Sequence, residues 1–189
     1  KVAAPITVLP TIWYRNTWCW GYENYKYKPL LTGVGNSFIE VDHRAVGRFK
    51  LYAEEADEFL FCDNETNFER LHQSPNLSHF TKDGINDYIV NKSKKSINQN
   101  HIGTKAAARY TAKIPAGGKK IFRLRLVDHT LKSPFEDFDT NLKIRANIIY
   151  LKTIFFSQFD YLKTEREKDE KHRRLLLQAT KELVEGGSE

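Results

Sequence analysis

Amide and carboxylate side chains are concentrated in the run Asn64-Glu65-Thr66-Asn67, which follows an apolar stretch ending at Cys62. Such groups can grip a hydroxyl-rich ligand, and a loop at a sheet edge is where they commonly act. Asn64, Glu65 and Asn67, with Arg70 in support, are therefore candidates to face a ligand. The competing reading is a structural turn, because Asn and Asp side chains bond their own backbone. Arg15 and Asn16 form a second pair of candidates, and a buried Asn16 would also need partners for purely structural reasons. Around them stand Trp13, Trp18 and Trp20, with Tyr14, Tyr22, Tyr25 and Tyr27 and the basic Arg15, Lys26 and Lys28. That interleave can stack sugar rings or bases as an aromatic platform. Alternate aromatics can equally fill the core face of a strand.

Other chemistries lack their residues. His43, His72, His79, His101, His129 and His172 are scattered, with no His-x-His, His-Glu-x-x-His or Cys-x-x-Cys, so no metal site is expected. No Gly-x-Ser-x-Gly elbow is present. Gly103-Thr104-Lys105 lacks the upstream glycine and the following Ser or Thr of a phosphate loop, and no cofactor is expected. The acidic run Glu54-Glu55-Ala56-Asp57-Glu58 reads as a solvated turn. Glu136, Asp137 and Asp139 fall at a helix start, where the helix dipole accounts for them.

The 189 residues, 40% hydrophobic and 29% charged, suit one folded domain plus an appendage. No apolar run reaches the roughly 18 residues of a membrane span, so no membrane partner is expected. The net charge of +6 is spread along the chain. Acids between Glu54 and Glu69 dilute it, so nucleic acid is not the expected partner despite Lys92-Ser93-Lys94-Lys95. Cys19 and Cys62 read as reduced, buried thiols, which favours a reducing, cytoplasmic setting. Sequons stand at Asn64, Asn76 and Asn91. The first residue is Lys1 rather than Met, so a missing signal peptide carries no weight.

Two regimes must position these residues. The spacing predicts short strands over 6–9, 12–20, 38–41, 47–53 and 58–62. In the second of these, Ile12, Tyr14, Asn16, Trp18 and Trp20 would share one face. Residues 106–114 and 120–127 read as a hairpin around Pro115-Ala116-Gly117-Gly118. Many strands without intervening helices argue for a mainly β, antiparallel β-sandwich over 1–131. From Ser133-Pro134-Phe135-Glu136, a capping box, the pattern turns helical. Ile144, Ile148, Leu151, Phe155, Phe159 and Leu162 make one apolar face, and a second box at Thr164-Glu165-Arg166-Glu167 starts another helix. Residues 132–189 are thus expected to hold two C-terminal linker-type α-helices.

Four ordered segments across 9–126 carry a family resemblance. They are Leu9-Pro10-Thr11-Ile12-Trp13-Tyr14-Arg15-Asn16-Thr17-Trp18-Cys19-Trp20-Gly21, Phe59-Leu60-Phe61-Cys62-Asp63-Asn64-Glu65-Thr66-Asn67-Phe68-Glu69-Arg70-Leu71, Lys82-Asp83-Gly84-Ile85-Asn86-Asp87-Tyr88-Ile89-Val90, and Gly103-Thr104-Lys105-Ala106-Ala107-Ala108-Arg109-Tyr110 running on to Ile114-Pro115-Ala116-Gly117-Gly118. Together they resemble the mannosyl-oligosaccharide-glucosidase-like group of glycoside hydrolase family 63, with Arg109 standing where that group carries His. The resemblance implies an N-terminal super-β-sandwich joined by helices to an (α/α)6 catalytic barrel. It implies an inverting hydrolase of the α-glucosidase type, acting on α-linked glucosyl or mannosyl oligosaccharides, with acid and base both in the barrel. No barrel motif occurs in this sequence, so no catalytic residue is carried over and the chain alone is expected to be inactive. The expected partners are the barrel of the same protein and an oligosaccharide, with the loop at Asn64 facing the barrel. The alternative is a stand-alone carbohydrate-binding module that uses Trp13, Trp18 and Trp20 as its platform.

Overall fold

The computed structural model describes residues 2–22 and 27–148. The chain divides into two compact units, Lys1–Glu136 and Asp137–Glu189. The first is mainly β, an antiparallel sandwich of a four-stranded and a five-stranded sheet.

The four-stranded sheet is built on one long strand. β1 (Ala4–Val8), β2 (Thr11–Trp13), β6 (Glu58–Cys62) and β8 (Lys105–Ile114) compose it, with β8 central. β1 and β2 pair with β8 in a single continuous register, Ala4 opposite Ile114 and Trp13 opposite Lys105. They are one edge strand interrupted at Leu9-Pro10. Proline has no N–H to give, but its carbonyl still accepts from the Ala108 N–H at 3.0 Å. β6 lies along the other side of β8, Cys62 opposite Lys105.

The five-stranded sheet runs β7 (Ile102–Gly103), β3 (Leu30–Val34), β4 (Phe38–His43), β5 (Gly47–Ala53), β9 (Leu124–Val127). Leu31, Ile39, Val41, Leu51 and Ala53 from this sheet close on Phe59, Phe61, Ala106, Ala108 and Tyr110 from the other. The alternation follows the two-residue period of a strand. The opposite face of β6 and β8 is buried as well. Leu60, Cys62 and Ala107 lie beneath Ile85 of helix α2 (Gly84–Asn91) and Ile97, with Tyr88 and Ile89 packed around them. Ile85, Tyr88 and Ile89 fall at helical spacing on one face. A sheet dry on both sides has no need of polar alternation, which is why Phe59-Leu60-Phe61-Cys62 and Ala106-Ala107-Ala108 are continuously apolar.

Several sequence expectations give way here. The strand expected over 12–20 stops at Trp13, and Trp18–Trp20 is a 3-10 turn closed by Gly21 at φ 76°. The segment has no further strand to pair with. Its polar groups bond instead to one another, as in Thr17 N–H to the Arg15 carbonyl, and to the loop after β6. The expected hairpin of 106–114 with 120–127 does not form, because β9 crosses to the other sheet and pairs with β5. Phe122 then lies 4.6 Å from the Tyr110 ring at the sandwich edge. Helices α1 (Phe68–His72) and α2 interrupt what reads as an all-strand stretch. The acidic run is largely paired rather than merely solvated: Glu54 holds Arg123 at 3.2 Å and Glu58 holds Arg109 at 3.0 Å. Cys62 is buried, and burial pushes its thiol up to about 11. Cys19 is exposed, contrary to the expectation of two buried thiols.

In the second unit, 138–148 is helical, and the Asn141 side chain donates to the Asp137 carboxylate just before its first turn. The helix therefore opens later than Ser133-Pro134 suggests, with 134–137 forming a turn. The second expected helix, with its box at Thr164, and the apolar positions from Leu151 to Leu162 lie outside the described residues. No helix among the described residues is long and apolar enough to cross a membrane.

At the start of α2 a Cβ on Gly84 would overlap the Ser96 carbonyl oxygen, which is backbone and cannot swing away. Gly84→Ala is expected to lower unfolding stability by about 2 kcal/mol, as overpacking does. Urea denaturation followed by far-ultraviolet circular dichroism checks this, and an unchanged midpoint would refute it.

Candidate functional site

The site forms at one end of the four-stranded sheet, where three strand positions lie side by side. Trp13 ends β2, Cys62 ends β6 and Lys105 begins β8, and both of the others are in register with Lys105. Directly opposed residues put their side chains on one face. This is the face that α2 covers further along.

Beyond Cys62 the chain leaves the sheet and is clamped. The Asp63 N–H donates to the Phe80 carbonyl at 2.7 Å and the Lys82 N–H to the Glu65 carbonyl at 2.8 Å. The Thr104 hydroxyl accepts from the Asn64 N–H at 2.7 Å. Gly103 makes the approach possible, since a Cβ there would overlap the Cys62 carbonyl oxygen.

Held this way, the loop binds the segment after β2. The Asn64 amide donates to the Tyr14 carbonyl at 2.8 Å, and the Asn16 amide returns a bond to the Asn64 carbonyl at 2.8 Å. Asn16 also donates to Glu65 Oε2 at 2.9 Å. Glu65 Oε1 accepts from the Trp18 indole at 2.6 Å and from Lys28 Nζ at 3.0 Å. Only 2% of Glu65 is exposed. Burial pushes its carboxyl up, but the hydrogen bonds from Trp18, Lys28 and Asn16 and the Lys28 charge outweigh that and leave it below its ordinary value. Glu65 is thus an ionised anchor with its oxygens occupied.

Trp13, Asn16, Cys19, Asn64, Thr66, Lys82 and Lys105 line a cleft of about 480 Å³ beside this anchor. Of the residues singled out in the sequence, Asn16, Asn64 and Trp13 meet here. Glu65 stands behind the cleft. Asn67 instead caps α1 through the Arg70 N–H at 3.0 Å and donates to Asp83. Arg70 reaches Asp83 at 2.6 Å and Asp87 at 3.2 Å. Burial raises Asp83, yet hydrogen bonds from Thr81 and Asn67 and the Arg70 charge bring it below the usual carboxylate range. This second cluster braces α1 against α2. Arg15 lies over the Trp20 ring at 4.9 Å, outside the cleft lining. Of the three tryptophans only Trp13 lines the cleft, so the indoles do not share one platform.

A larger hollow of about 540 Å³ lies between α1 and α2, lined by Asn67, Asn76, Ser78, Thr81 and Asp87 among others. Several of its polar groups already have partners: Thr81 bonds Asp83, Asn76 bonds Asn67 and Ser78 bonds Asp63. The smaller cleft retains more capacity. Among the described residues neither Lys82 nor Lys105 forms an ion pair. No group of His, Cys, Asp and Glu among the described residues is placed to hold a metal ion.

Sequence reasoning missed Lys82, Lys105 and Thr104 and the bonds that tie Trp18 and Lys28 to Glu65. Lys82 opens one of the family-like segments and Lys105 is the third residue of another. Their place in those segments was the available signal.

No family model matches the chain, and no solved structure matches it. The chain is similar to a protein of Saccharomyces cerevisiae described only as uncharacterized, 29% identical over 154 residues. The match covers 68% of this chain and 14% of that relative's length.

Removing the anchor should be costly, because donors to a buried charge lose their partner. Glu65→Ala is expected to destabilise the fold by about 3 kcal/mol. Glu65→Gln should do so by somewhat less, because its amide must face a donor. The carboxyl's folded value lies below 4.5, its ordinary value. Its contribution is therefore fully present above that pH and is lost as the pH falls through the folded value. The stability gap between wild type and Glu65→Gln should be constant above pH 4.5 and shrink below it. Urea midpoints across that range test this, and a gap independent of pH would contradict it.

Proposed function

We propose that this chain is the non-catalytic β-sandwich part of a family-63-type inverting glycoside hydrolase acting on α-linked glucosyl or mannosyl oligosaccharides. In this reading the sandwich supports a catalytic barrel of the same protein, and the Trp13–Asn64 cleft contacts saccharide. The reading is supported by the segments that resemble this family and by a mainly β, antiparallel fold of the kind the resemblance implies.

The observation that carries it is the state of Glu65. Inversion needs two carboxyls about 6.5–9.5 Å apart, one free to donate a proton and one to activate water. Among the described residues the cleft lining contains no carboxylate, and the one behind it is held by three donors that favour its ionised form. What remains is binding chemistry: an indole 55% exposed, carboxamides, a hydroxyl and two ammonium groups. An exposed ring with nearby amides suits a sugar, whose apolar face stacks and whose hydroxyls need partners.

One observation favours the stand-alone carbohydrate-binding module as a second reading. Every described residue that lines the cleft belongs to the first compact unit.

The isolated chain is expected to release no nitrophenol from p-nitrophenyl α-glucoside or α-mannoside above the buffer rate. It is expected to bind an α-linked gluco-oligosaccharide with quenching of tryptophan fluorescence. Trp13→Ala should weaken that binding about tenfold, or about 1.4 kcal/mol. Turnover by the chain would overturn the non-catalytic assignment, and binding indifferent to Trp13 would overturn the cleft assignment.

A further inference from the structure

We propose that the cleft receives a phosphorylated sugar, with the phosphate between Lys82 and Lys105 and the ring against Trp13. The inference rests on the saccharide reading of the cleft and names the class of saccharide.

Its basis is an imbalance of charge. Several basic side chains of the described fold meet acids: Lys50 meets Glu40, Arg70 meets Asp83 and Asp87, Arg109 meets Glu58, and Arg123 meets Glu54. Lys82 and Lys105 line one hollow with no acid among the described residues of its lining. Their contacts are to neutral oxygens. Lys105 Nζ donates to the Lys82 carbonyl at 2.8 Å, and Lys82 Nζ to the Thr66 hydroxyl at 3.1 Å. Those bonds orient the two ammonium groups without neutralising them. Each keeps spare donors, since an ammonium has three. Lys105 is half-buried, so its charge is screened less than that of a free surface lysine.

The charge count selects the anion. A phosphomonoester carries about −1.5 to −2 at neutral pH and offers three acceptor oxygens, which matches two ammonium groups and the Thr66 hydroxyl. A uronic carboxylate carries a single charge and would leave one lysine uncompensated. Trp13 directly opposes Lys105 across the β2–β8 pair, so an anion on Lys105 brings an attached ring to the indole. The cleft's carboxamides, Asn16 and Asn64, are then at hand for ring hydroxyls.

Calorimetric titration of the full chain with glucose 6-phosphate, glucose, glucuronate and inorganic phosphate tests this. Glucose 6-phosphate is expected to bind at least tenfold tighter than any of the other three, and to weaken as salt rises. It should also slow the reaction of N-ethylmaleimide with Cys19, which lines the same cleft. Lys82→Ala and Lys105→Gln should each lower glucose 6-phosphate affinity at least tenfold, and by more than they lower glucose affinity. Lys82 is exposed, so its variant decides the matter if the Lys105 variant melts early. Equal binding of inorganic phosphate or of glucuronate would overturn the proposal, as would lysine variants that bind normally. A gluco-oligosaccharide that binds at Trp13 without any preference for phosphate would sink this inference and leave the saccharide reading standing. Binding of neither class would remove both.

Discussion

A buried carboxylate must be satisfied, and the arrangement around the cleft follows from satisfying Glu65. Removing such a group from water costs several kcal/mol unless donors surround it. The donors come from Asn16, Trp18 and Lys28, which lie 49, 47 and 37 residues away in sequence. The charge therefore fastens the stretch after β2 onto the loop after β6. That stretch has no strand beside it beyond Trp13, and its shape is set by what the loop offers. Asn64 and Asn16 complete the exchange by bonding each other's neighbourhood, one to the Tyr14 carbonyl and one to the Asn64 carbonyl. A residue read from the sequence as facing a ligand is here the tie that positions Asn16, Trp18 and Lys28.

The second constraint is that the sheet carrying β6 and β8 is dry on both faces. Phe59 and Phe61 look into the sandwich, while Leu60 and Cys62 lie under α2. Close layers need small residues where backbones approach, and Ala106, Ala107, Ala108, Gly84 and Gly103 supply them. At the end of the sheet that holds Lys105, past the cover of α2, the outer face becomes polar and open, as it does again toward Thr111 and Lys113. Trp13 and Lys105 occupy that end in register, so the cleft is a consequence of where the helix stops covering the strands.

Much of the fold was legible in the sequence because the two-residue period is strong wherever one face is wet. β4 and β5 fall where alternation and turn residues place them, while β6 and β8 are marked by apolar runs bounded by turn residues. The failures share a cause. Trp13 to Trp20 alternates well enough to read as a strand, but alternation cannot reveal that no neighbour exists to accept its hydrogen bonds. Residues 120–127 read as half of a hairpin because a Gly-rich turn precedes them, and nothing local says that the chain crosses to β5 instead. α2 was hidden by its shortness and by β-branched Ile85, Ile89 and Val90. For the site, residue type singled out Asn16 and Asn64, which the structure places at one cleft. It could not show that Glu65, Asn67 and Arg70 would be engaged elsewhere, because their partners, Trp18, Lys28, Asp83 and Asp87, are assembled only by the tertiary fold.

The same accounting distinguishes binding from catalysis at this cleft. A proton-transfer carboxyl needs a free oxygen and an ionisation poised near the working pH. Glu65 has neither, since its oxygens hold an indole, an ammonium and an amide that together favour the charged form. Asp83 is held ionised in a separate cluster by Thr81, Asn67 and Arg70. Glu65 and Asp83 are thus held toward the charged state by structural partners, while the lysines that line the cleft bond only to neutral oxygens. An arrangement with its negative charges satisfied and two positive charges left facing a hollow is suited to holding an anion still. It is poorly suited to passing protons to and from one.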